Sequence, residues 1–450
     1  MKAGKGARPW RQCARRIAES LTAIFGLLWT GNALAQQAID PQLIDPSNGG
    51  DTAWILAASA LVLLMTLPGL ALFYGGLVRA RHFLSVLLQC GAIAAIVSLL
   101  WVVVGYTLAF GSVSNGIIGA GNAWMLISLG NIREGLTIPE SSFVLFQMTF
   151  AIITPALMVG AWVERARFGW VIAFCALWSL IVYAPVAHWI WGGGWLAAMG
   201  VLDFAGGIVV HTTAGVSALV AAMMLGKRLE WPHKLHVPHS PALTVAGAGL
   251  LWVGWFGFNG GSSFGAGDDA AAAIINTHIA ASVAALVWLL IERIKVGKPT
   301  AIGFATGAIA GLATITPAAG YVSPGAAIII GLLAALVCYH AIGLVKNVFA
   351  IDDSLDVFAV HGVGGILGSL LVAIFTSAMF NGVGYVEGVG MIGQLVIQAI
   401  AIGAVALWSI IGTLIIGFAL SMVLPMRVSK DDEREGLDLT QHGERAWELD

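Results

Sequence analysis

Two histidines lie in closely similar apolar segments of the chain, 150 positions apart. His211 follows Asp203 by eight residues, and His361 follows Asp353 by eight. An ionisable side chain inside such a segment is rare in membrane proteins and by default marks a route or a site for ions or protons. The pattern therefore predicts that His211 and His361 carry the chemistry of this chain.

The composition places these segments in a membrane. Of the 450 residues, 58% are hydrophobic and only 10% are charged, which excludes a water-soluble globular protein of this length. The net charge of −2 gives no basis for binding nucleic acid. The cysteines indicate no disulfide, because Cys13 lies in a leader and Cys90, Cys175 and Cys338 are isolated within apolar segments.

Residues 1–35 have the order of a cleavable secretory signal peptide. Basic residues come first, an apolar run over 21–29 follows, and the small-residue sequence ALA ends at Ala35. The apolar run is too short to cross a hydrocarbon core of ~30 Å, which argues against the alternative of an uncleaved extra helix. We predict cleavage after Ala35, followed by a short external segment over 36–53.

Eleven apolar segments separated by short polar breaks predict an all-α integral membrane domain over 54–425. The loops on one side hold eleven Lys and Arg residues, whereas those on the other hold only Arg133. The positive-inside rule makes the basic side cytoplasmic, so the N-terminus is outside and the tail over 426–450 is cytoplasmic. The predicted spans are 54–78, 83–110, 142–163, 168–191, 203–225, 242–260, 270–291, 301–318, 325–345, 357–379 and 391–425.

The two histidines fall in the fifth and tenth spans, which run in opposite directions. This is the pattern of an inverted-topology repeat of five plus five helices. Eight helical residues rise ~12 Å, so each imidazole should approach the middle of a ~30 Å core from its own side. We expect His211 and His361 to lie at one depth and meet. In the alternative, each histidine donates to a neighbouring carbonyl and only locks two helices together.

Other histidines of the chain indicate structural roles. His188 lies near an outer span end beside tryptophans and is interpreted as an interfacial anchor, and His278 and His340 are interpreted as packing residues. Three more histidines, spaced by three residues, lie in a predicted cytoplasmic loop. Their position favours solvent-exposed loop residues over ligands of a metal site. These three are His233, His236 and His239.

Four longer motifs occur in order along the chain. They are PGLALFYGGLVR at 68–79, DFAGG at 203–207 with VH at 210–211, GWFGFNGGS at 254–262, and DVFAVHG at 356–362. Together they resemble the ammonium transporters of the Amt/Mep/Rh superfamily, specifically its bacterial Amt branch. The resemblance extends from about residue 54 to the C-terminus.

This resemblance implies a transporter or channel rather than an enzyme, with no cofactor and no metal. It implies a homotrimer in the bacterial inner membrane, with one narrow pore in every protomer. An ammonium-recruiting site at the outer mouth would consist of Phe150, Trp191 and Ser262, with Asp203 nearby as a buried structural carboxylate.

The resemblance also assigns residues below that mouth. The rings of Phe146 and Phe258 would form a gate under the recruiting site, and His211 and His361 would line the pore beneath the gate. Met148 and Thr149 depart from the small residues typical of the family there, which leaves rate and selectivity open.

Energetics favours deprotonation on the way through such a pore. Aromatic faces attract a desolvated cation by ~2 kcal/mol or more, whereas removing an ion from water ideally costs on the order of 20 kcal/mol. We therefore hypothesise that ammonium binds at the mouth, loses its proton near the gate and crosses as ammonia. If the proton follows separately, ammonium uptake is electrogenic; if it returns outside, the protein is a gas channel. Use of methylammonium stays open.

The role of Asp203 has two interpretations. A carboxylate beside a conduction route can bind the cation directly, but its place at the start of a helix favours a capping role through backbone N–H groups.

The C-terminal sequences EGLD at 435–438 and HGE at 442–444 resemble the tail motif of the same family. The resemblance implies a tail that packs on the cytoplasmic face, with a PII-type regulatory protein as a partner there. Two alternatives to a plain transporter remain: an ammonium sensor that signals through the tail, and a metalloprotein that uses the histidine pair. Against the second, no further Cys, His or Glu accompanies each histidine at ligand spacing.

Overall fold

The computed structural model describes residues 47–447, except 114, 122 and 234–236. The predicted signal peptide over 1–35, its cleavage site and most of the segment over 36–53 lie outside the described residues. Within them the chain is almost entirely helical, with one small hairpin in which β1 (Ser112–Val113) pairs antiparallel with β2 (Gly119–Ala120).

Ten helices of the described residues are long and apolar enough to cross a membrane, and an eleventh is shorter. The ten are α1 (Gly49–Leu77), α2 (Ala80–Phe110), α3 (Glu140–Trp162), α4 (Phe168–Ala198), α5 (Gly207–Leu225), α6 (Pro241–Gly261), α7 (Asp268–Lys295), α9 (Pro324–Val348), α10 (Phe358–Phe375) and α11 (Met391–Ser421). The shorter apolar helix is α8 (Ala301–Ile315), at the position of the predicted span 301–318. The prediction of an all-helical membrane protein is confirmed.

The start of α5 differs from the predicted start at 203. Residues 203–206 form a turn that ends with Gly206 in the left-handed region, at φ 109°, and the helix begins at Gly207. Hydropathy does not distinguish this turn from the helix, because it is apolar except for Asp203. Both α5 and α10 then open with a π-helical turn, a feature common at functional sites. His211 and His361 each lie in that turn.

Helices α5 and α10 cross at backbone contact distance. A Cβ atom at Gly215 would overlap the backbone of Gly362, and one at Gly365 would lie 2.8 Å from Cβ of His211. Small residues at such crossings let helix backbones approach closely within a membrane. The crossing places the two histidine-bearing turns side by side.

The loops gather at two opposite faces of the bundle. At one, which we call the basic face, the loops after α1, α3, α5 and α9 meet through Arg79, Glu164, Arg228 and Asp352. Fully buried Arg165 joins them, because its guanidinium donates to the carbonyls of Gly226 and Asp352 and to the hydroxyl of Ser354.

The other face, the vestibule face, holds the first turn of α1. Asp51 accepts hydrogen bonds there from the hydroxyl of Thr137 and the backbone N–H of Ala266. Since α1 begins at this face and ends two residues before Arg79 of the basic face, the two faces lie at opposite ends of the helices.

The C-terminal tail packs on the basic face through two short helices, α12 (Lys430–Glu435) and α13 (Leu437–His442). The carboxylate of Asp438 accepts the N–H groups of Leu84 and Ser85 at 3.0 and 2.8 Å, so it caps the first turns of α2. The N–H of Leu437 donates to Nδ1 of His82. The tail is therefore tied to α2 by specific hydrogen bonds.

Substituting Glu164 by Gln is expected to destabilise the protein and to change the pH dependence of its stability. The Glu164 carboxylate, 1% exposed, pairs with Arg79 and Arg228, and breaking a buried pair costs on the order of 3 kcal/mol. Burial opposes ionisation, but the charges of Arg228 and Arg79 and the backbone N–H of Arg79 outweigh it and lower the pKa of Glu164 from 4.5 to about 2. This carboxylate thus stabilises the fold above pH 4.5, and its contribution is lost as the pH falls toward 2.

The measurement is the melting temperature of the detergent-solubilised protein between pH 7 and pH 3. Glu164→Gln should melt several degrees lower at pH 7, and the difference from wild type should shrink at pH 3. Equal melting temperatures at pH 7 would contradict the stabilising role of this ion cluster.

Candidate functional site

His211 and His361 contact each other in the centre of the bundle. Nδ1 of His361 lies 3.2 Å from Nδ1 of His211, and the two rings are nearly parallel, with centroids 5.2 Å apart. Both side chains are buried, at 1% and 3% exposure. The structure therefore brings together the two residues that the sequence singles out, on the opening turns of two helices that start at opposite faces of the bundle.

A direct contact between the two Nδ1 atoms constrains the protons of the pair. A hydrogen bond needs one donor and one acceptor, so in the neutral pair one imidazole carries its proton on Nδ1 and the other carries it on Nε2. The Nε2 atoms then differ: one is a bare acceptor and the other is an N–H donor. Nε2 of His211 has no hydrogen-bond partner among the described residues.

A narrow lumen, which we call the histidine lumen, adjoins the pair. Its volume is about 10 Å³, roughly the space of one water molecule. Apart from the two imidazoles its lining is apolar: Met65, Leu70, Phe73, Ile153, Leu157, Val210, Leu251, Trp255, Phe258 and Ile309. A hydrated ion does not fit in this space.

Trp255 is a residue of this lumen that the sequence did not single out. Its ring stacks on His211, with centroids 5.5 Å apart and planes 22° from parallel, and its Nε1–H donates to the hydroxyl of Thr316. The available signal was its spacing, because Trp255 precedes Phe258 by three residues and so faces the same side of α6.

A larger cavity of about 500 Å³ opens at the vestibule face, and we call it the vestibule. Phe150, Trp191, Asp203 and Ser262, which the sequence predicted near the mouth, all line it. The indole N–H of Trp191 donates to the carbonyl of Asp203, and the hydroxyl of Ser262 donates to the carbonyl of Phe258. The lone pairs of the Ser262 oxygen stay free to accept.

The barrier between vestibule and histidine lumen differs from the expected pair of Phe146 and Phe258. Phe258 lies against Phe150 instead, with ring centroids 4.2 Å apart; Phe150 lines the vestibule and Phe258 lines the lumen. Phe146 packs against Phe150 and Phe264 at 5.0 and 5.7 Å. The reason is the direction of α3, which starts at the vestibule face and so places Phe146 one turn nearer that face than Phe150.

Asp203 holds the start of α5. Its carboxylate accepts the backbone N–H groups of four residues at 2.6 to 3.1 Å, those of Gly206, Gly207, Ile208 and Val209. Burial raises the pKa of Asp203 to about 6, and these four donors favour the ionised form. All four hydrogen bonds cap the start of a helix, as expected if the role of Asp203 is structural.

Asp353 occupies the corresponding place before α10. Its Oδ2 accepts the N–H of Phe358 at 2.7 Å, and burial raises its pKa to about 6. A buried carboxylate eight residues before each histidine thus caps the start of its helix. The cap fixes the position of the helix turn that carries the imidazole.

The basic face has its own cavity, of about 390 Å³, with His361 in its lining. Charged side chains of both signs surround the opening: Arg79, Arg81, Arg228, Lys346 and Arg434 with Glu164, Glu230, Asp356 and Glu433. The histidine lumen and this cavity therefore share His361 in their linings, whereas no residue lines both the lumen and the vestibule.

The remaining histidines lie away from the lumen lining. His188 is fully buried and bonds through Nδ1 to the carbonyl of Ala109. His278 is exposed on α7 beside Trp252, and exposed His340 contacts Lys295. His239 bonds the carbonyl of Val78, and His236 lies outside the described residues. Among the residues that the structure describes, no group of three or more His, Cys, Asp or Glu side chains could hold a metal ion.

Comparison with known proteins gives consistent results over nearly the whole described chain. Residues 53–447 match the sequence model of the Ammonium Transporter Family. The chain is 47% identical to a putative ammonium transporter of Methanothermobacter thermautotrophicus, over 89% of this chain and 99% of that protein. It is 44% identical to an ammonium transporter of Bacillus subtilis, over 89% and 98% of the two chains.

Solved structures resemble the fold closely. A sensor Amt protein superposes with a TM-score of 0.82 at 32% identity, covering 87% of this chain and 98% of its own. Mep2 of Saccharomyces cerevisiae superposes with a TM-score of 0.77 at 35% identity, covering 86% and 91%.

Substituting Asp203 by Asn is expected to lower the melting temperature. The amide offers one carbonyl oxygen where the carboxylate offers two, and its NH₂ group faces N–H donors of α5. An unpaired buried N–H group costs about 1–3 kcal/mol, so a drop of several degrees should appear in thermal unfolding. A melting temperature equal to wild type would contradict the capping role and favour a direct electrostatic one.

Proposed function

Because this chain belongs to the ammonium transporter family, we propose that it carries ammonium across the membrane as ammonia and a separate proton. It acts as a transporter and not as an enzyme. The observation that carries the mechanism is the contact between His211 and His361 beside a lumen of about 10 Å³ that is otherwise apolar.

Ammonium binds first in the vestibule, between Phe150, Trp191 and Ser262. The two aromatic rings form a T-shaped pair with centroids 5.8 Å apart and face a common cavity. Aromatic faces attract a cation, and the free lone pairs of the Ser262 oxygen accept one of its four N–H groups. Methylammonium retains three N–H donors and is accepted at the same place if its methyl group faces the rings.

The ring pair of Phe150 and Phe258 is the gate. This assignment gives Phe150 two roles, because its ring both faces the vestibule and closes the way to Phe258. It moves Phe146 from the gate to a position nearer the mouth, where the ring packs behind the vestibule wall. The 4.2 Å separation of the two centroids leaves no passage, so the rings must rotate for each molecule that enters.

The proton leaves the substrate before the substrate enters the lumen. An ion taken wholly out of water loses on the order of 20 kcal/mol of hydration in the ideal limit, and apolar walls do not replace it. Neutral ammonia carries no such penalty. It can donate to the bare Nε2 of one imidazole and accept from the Nε2–H of the other, so the pair matches both of its hydrogen-bonding functions.

The proton follows through the same two histidines. Their 3.2 Å contact allows a proton to pass from one Nδ1 to the other without movement of either helix. Ammonia and the proton recombine in the polar cavity of the basic face, and net ammonium uptake is electrogenic.

We place the vestibule face outside and the basic face in the cytoplasm, with eleven spans that include α8. The basic loops support this orientation through the positive-inside rule. The two carboxylate-capped, π-opened helices α5 and α10 support a five-plus-five inverted repeat. By family membership we further propose a homotrimer in the bacterial inner membrane, with one pore per protomer.

Replacing both pore histidines by alanine should abolish ammonium-selective transport while the protein still folds. The double variant His211→Ala with His361→Ala removes both ammonia partners and the proton relay. Ammonium uptake into proteoliposomes is the measurement, and His278→Ala, an exposed histidine away from the lumen, is the matched control. Wild-type selectivity in a folded double variant would refute the assignment of the pair.

Ammonium addition should also evoke a current in the reconstituted protein. Proton transfer through the histidine pair moves one charge with each ammonia, so current and ammonium flux should rise in a one-to-one ratio. Solid-supported membrane recordings alongside flux measurements give this ratio. Flux without current would show that the proton stays outside and that the protein is a gas channel.

The docked tail supports a regulatory role at the cytoplasmic face. Asp438 caps α2, and Glu433 pairs with Arg427 at 2.7 Å while accepting the N–H of Leu229, next to the cavity of the basic face. A sensor that signals through the tail is the second candidate, favoured by this docking and by the structural similarity to a sensor Amt protein.

A PII-type protein should bind this face in a tail-dependent manner. Substituting Asp438 by Ala leaves the N–H groups of Leu84 and Ser85 without their carboxylate and should free the tail. Co-purification with a PII protein measures the effect, with Asp431→Ala on the exposed side of α12 as control. Equal PII binding by wild type and Asp438→Ala would exclude a role for the docked tail.

A further inference from the structure

One polar side chain in the vestibule has no hydrogen-bond partner. Gln147 lies on α3 and is only 4% exposed, yet its side chain makes no hydrogen bond to any described residue, and its buried Oε1 has no partner. Other buried glutamines of the described chain differ: Gln89 accepts from the indole N–H of Trp162, and Gln398 donates to the carbonyl of Leu202. A buried amide without a partner is costly and calls for a ligand.

The position of Gln147 on its helix points to that ligand. Phe143, Gln147 and Phe150 are spaced by four and three residues, so they share one face of α3, and all three line the vestibule. Ser262 and Trp191 line the same cavity from other helices. The unpartnered amide is therefore part of the wall of the cavity in which the cation is proposed to bind.

The amide is also free to turn. No hydrogen bond fixes which of its two ends faces the cavity, and a half-turn about the last side-chain bond exchanges oxygen and nitrogen at little cost. A cation in the vestibule selects the orientation that presents the carbonyl oxygen.

We propose that Gln147 is a further substrate-binding residue, whose carbonyl oxygen accepts an N–H of ammonium in the vestibule. This inference rests on the proposed function and adds a second side-chain acceptor to Ser262. Two acceptor side chains from different parts of the cavity wall can each bind one of the tetrahedrally arranged N–H groups of ammonium. Spherical cations gain less from this directional arrangement, so Gln147 contributes to selectivity as well as affinity.

The test compares two substitutions of similar size at this position in proteoliposomes. Gln147→Met keeps the length of the side chain and removes the acceptor, and Gln147→Glu keeps an acceptor oxygen and adds a charge. The ammonium concentration for half-maximal current should rise roughly tenfold in Gln147→Met, the size expected for one lost hydrogen bond to a charged group. In Gln147→Glu it should stay at or below the wild-type value.

Ser263→Ala is the matched control, because this side chain lines the same cavity but its hydroxyl donates to the carbonyl of Gly260 and its oxygen already accepts the backbone N–H of Gly265. Its half-maximal concentration should equal that of wild type. Melting temperatures of all variants establish that they are folded.

Two results would overturn the inference. An unchanged half-maximal concentration in Gln147→Met would mean that the amide binds only water, and an equal rise in Gln147→Met and Gln147→Glu would mean that it only fills space. Neither result touches the proposed function, which fails instead if the wild-type protein itself transports no ammonium.

Discussion

The close crossing of α5 and α10 is the constraint on which the site depends. Where Gly215 meets Gly362 there is no room for even one methyl group, and Gly365 approaches the Cβ of His211 in the same way. The crossing fixes the separation of two helix backbones and thereby that of the imidazoles they carry. Two flexible side chains on more distant helices would reach each other only at a cost in conformational entropy. Here the backbones hold the pair in place.

Carboxylate groups cap the starts of these helices. Inside a membrane protein an unpaired N–H group or an unpaired charge is expensive, and three helix starts have a carboxylate as a dedicated acceptor. Asp203 holds α5, Asp353 holds α10, and Asp438 of the tail holds α2. These carboxylates have in common that they accept backbone N–H groups at the start of a helix. A buried acid near a pore is therefore not by itself a cation-binding group.

Much of this arrangement could be predicted from the sequence, for a physical reason. The alternation of apolar segments and basic loops sets helix direction, and direction with an eight-residue offset sets depth, so the meeting of His211 and His361 follows from one-dimensional information. The aromatic partner of Phe258 does not follow as easily, because Phe146 and Phe150 lie one turn apart on α3 and only the direction of the helix distinguishes them. Helix α3 enters from the vestibule face, and Phe150, one turn further in, is the ring that reaches Phe258.

Other features could not be predicted because they depend on contacts between distant parts of the chain. The spacing of Trp255 from Phe258 places it on the same side of α6, but it does not reveal that its ring stacks on His211, since that contact joins α6 to α5. The same holds for the unpaired amide of Gln147. Its neighbours along α3 are apolar, and only the folded wall of the vestibule distinguishes it from a glutamine that packs a helix, such as Gln398.

The size of the histidine lumen has a consequence for water. A continuous column of water needs room for several molecules and a partner for each, whereas this lumen has about 10 Å³ and two imidazoles. In this closed arrangement no such column fits between the two larger cavities. Under the proposed function, ammonia therefore passes one molecule at a time, without solvent moving beside it.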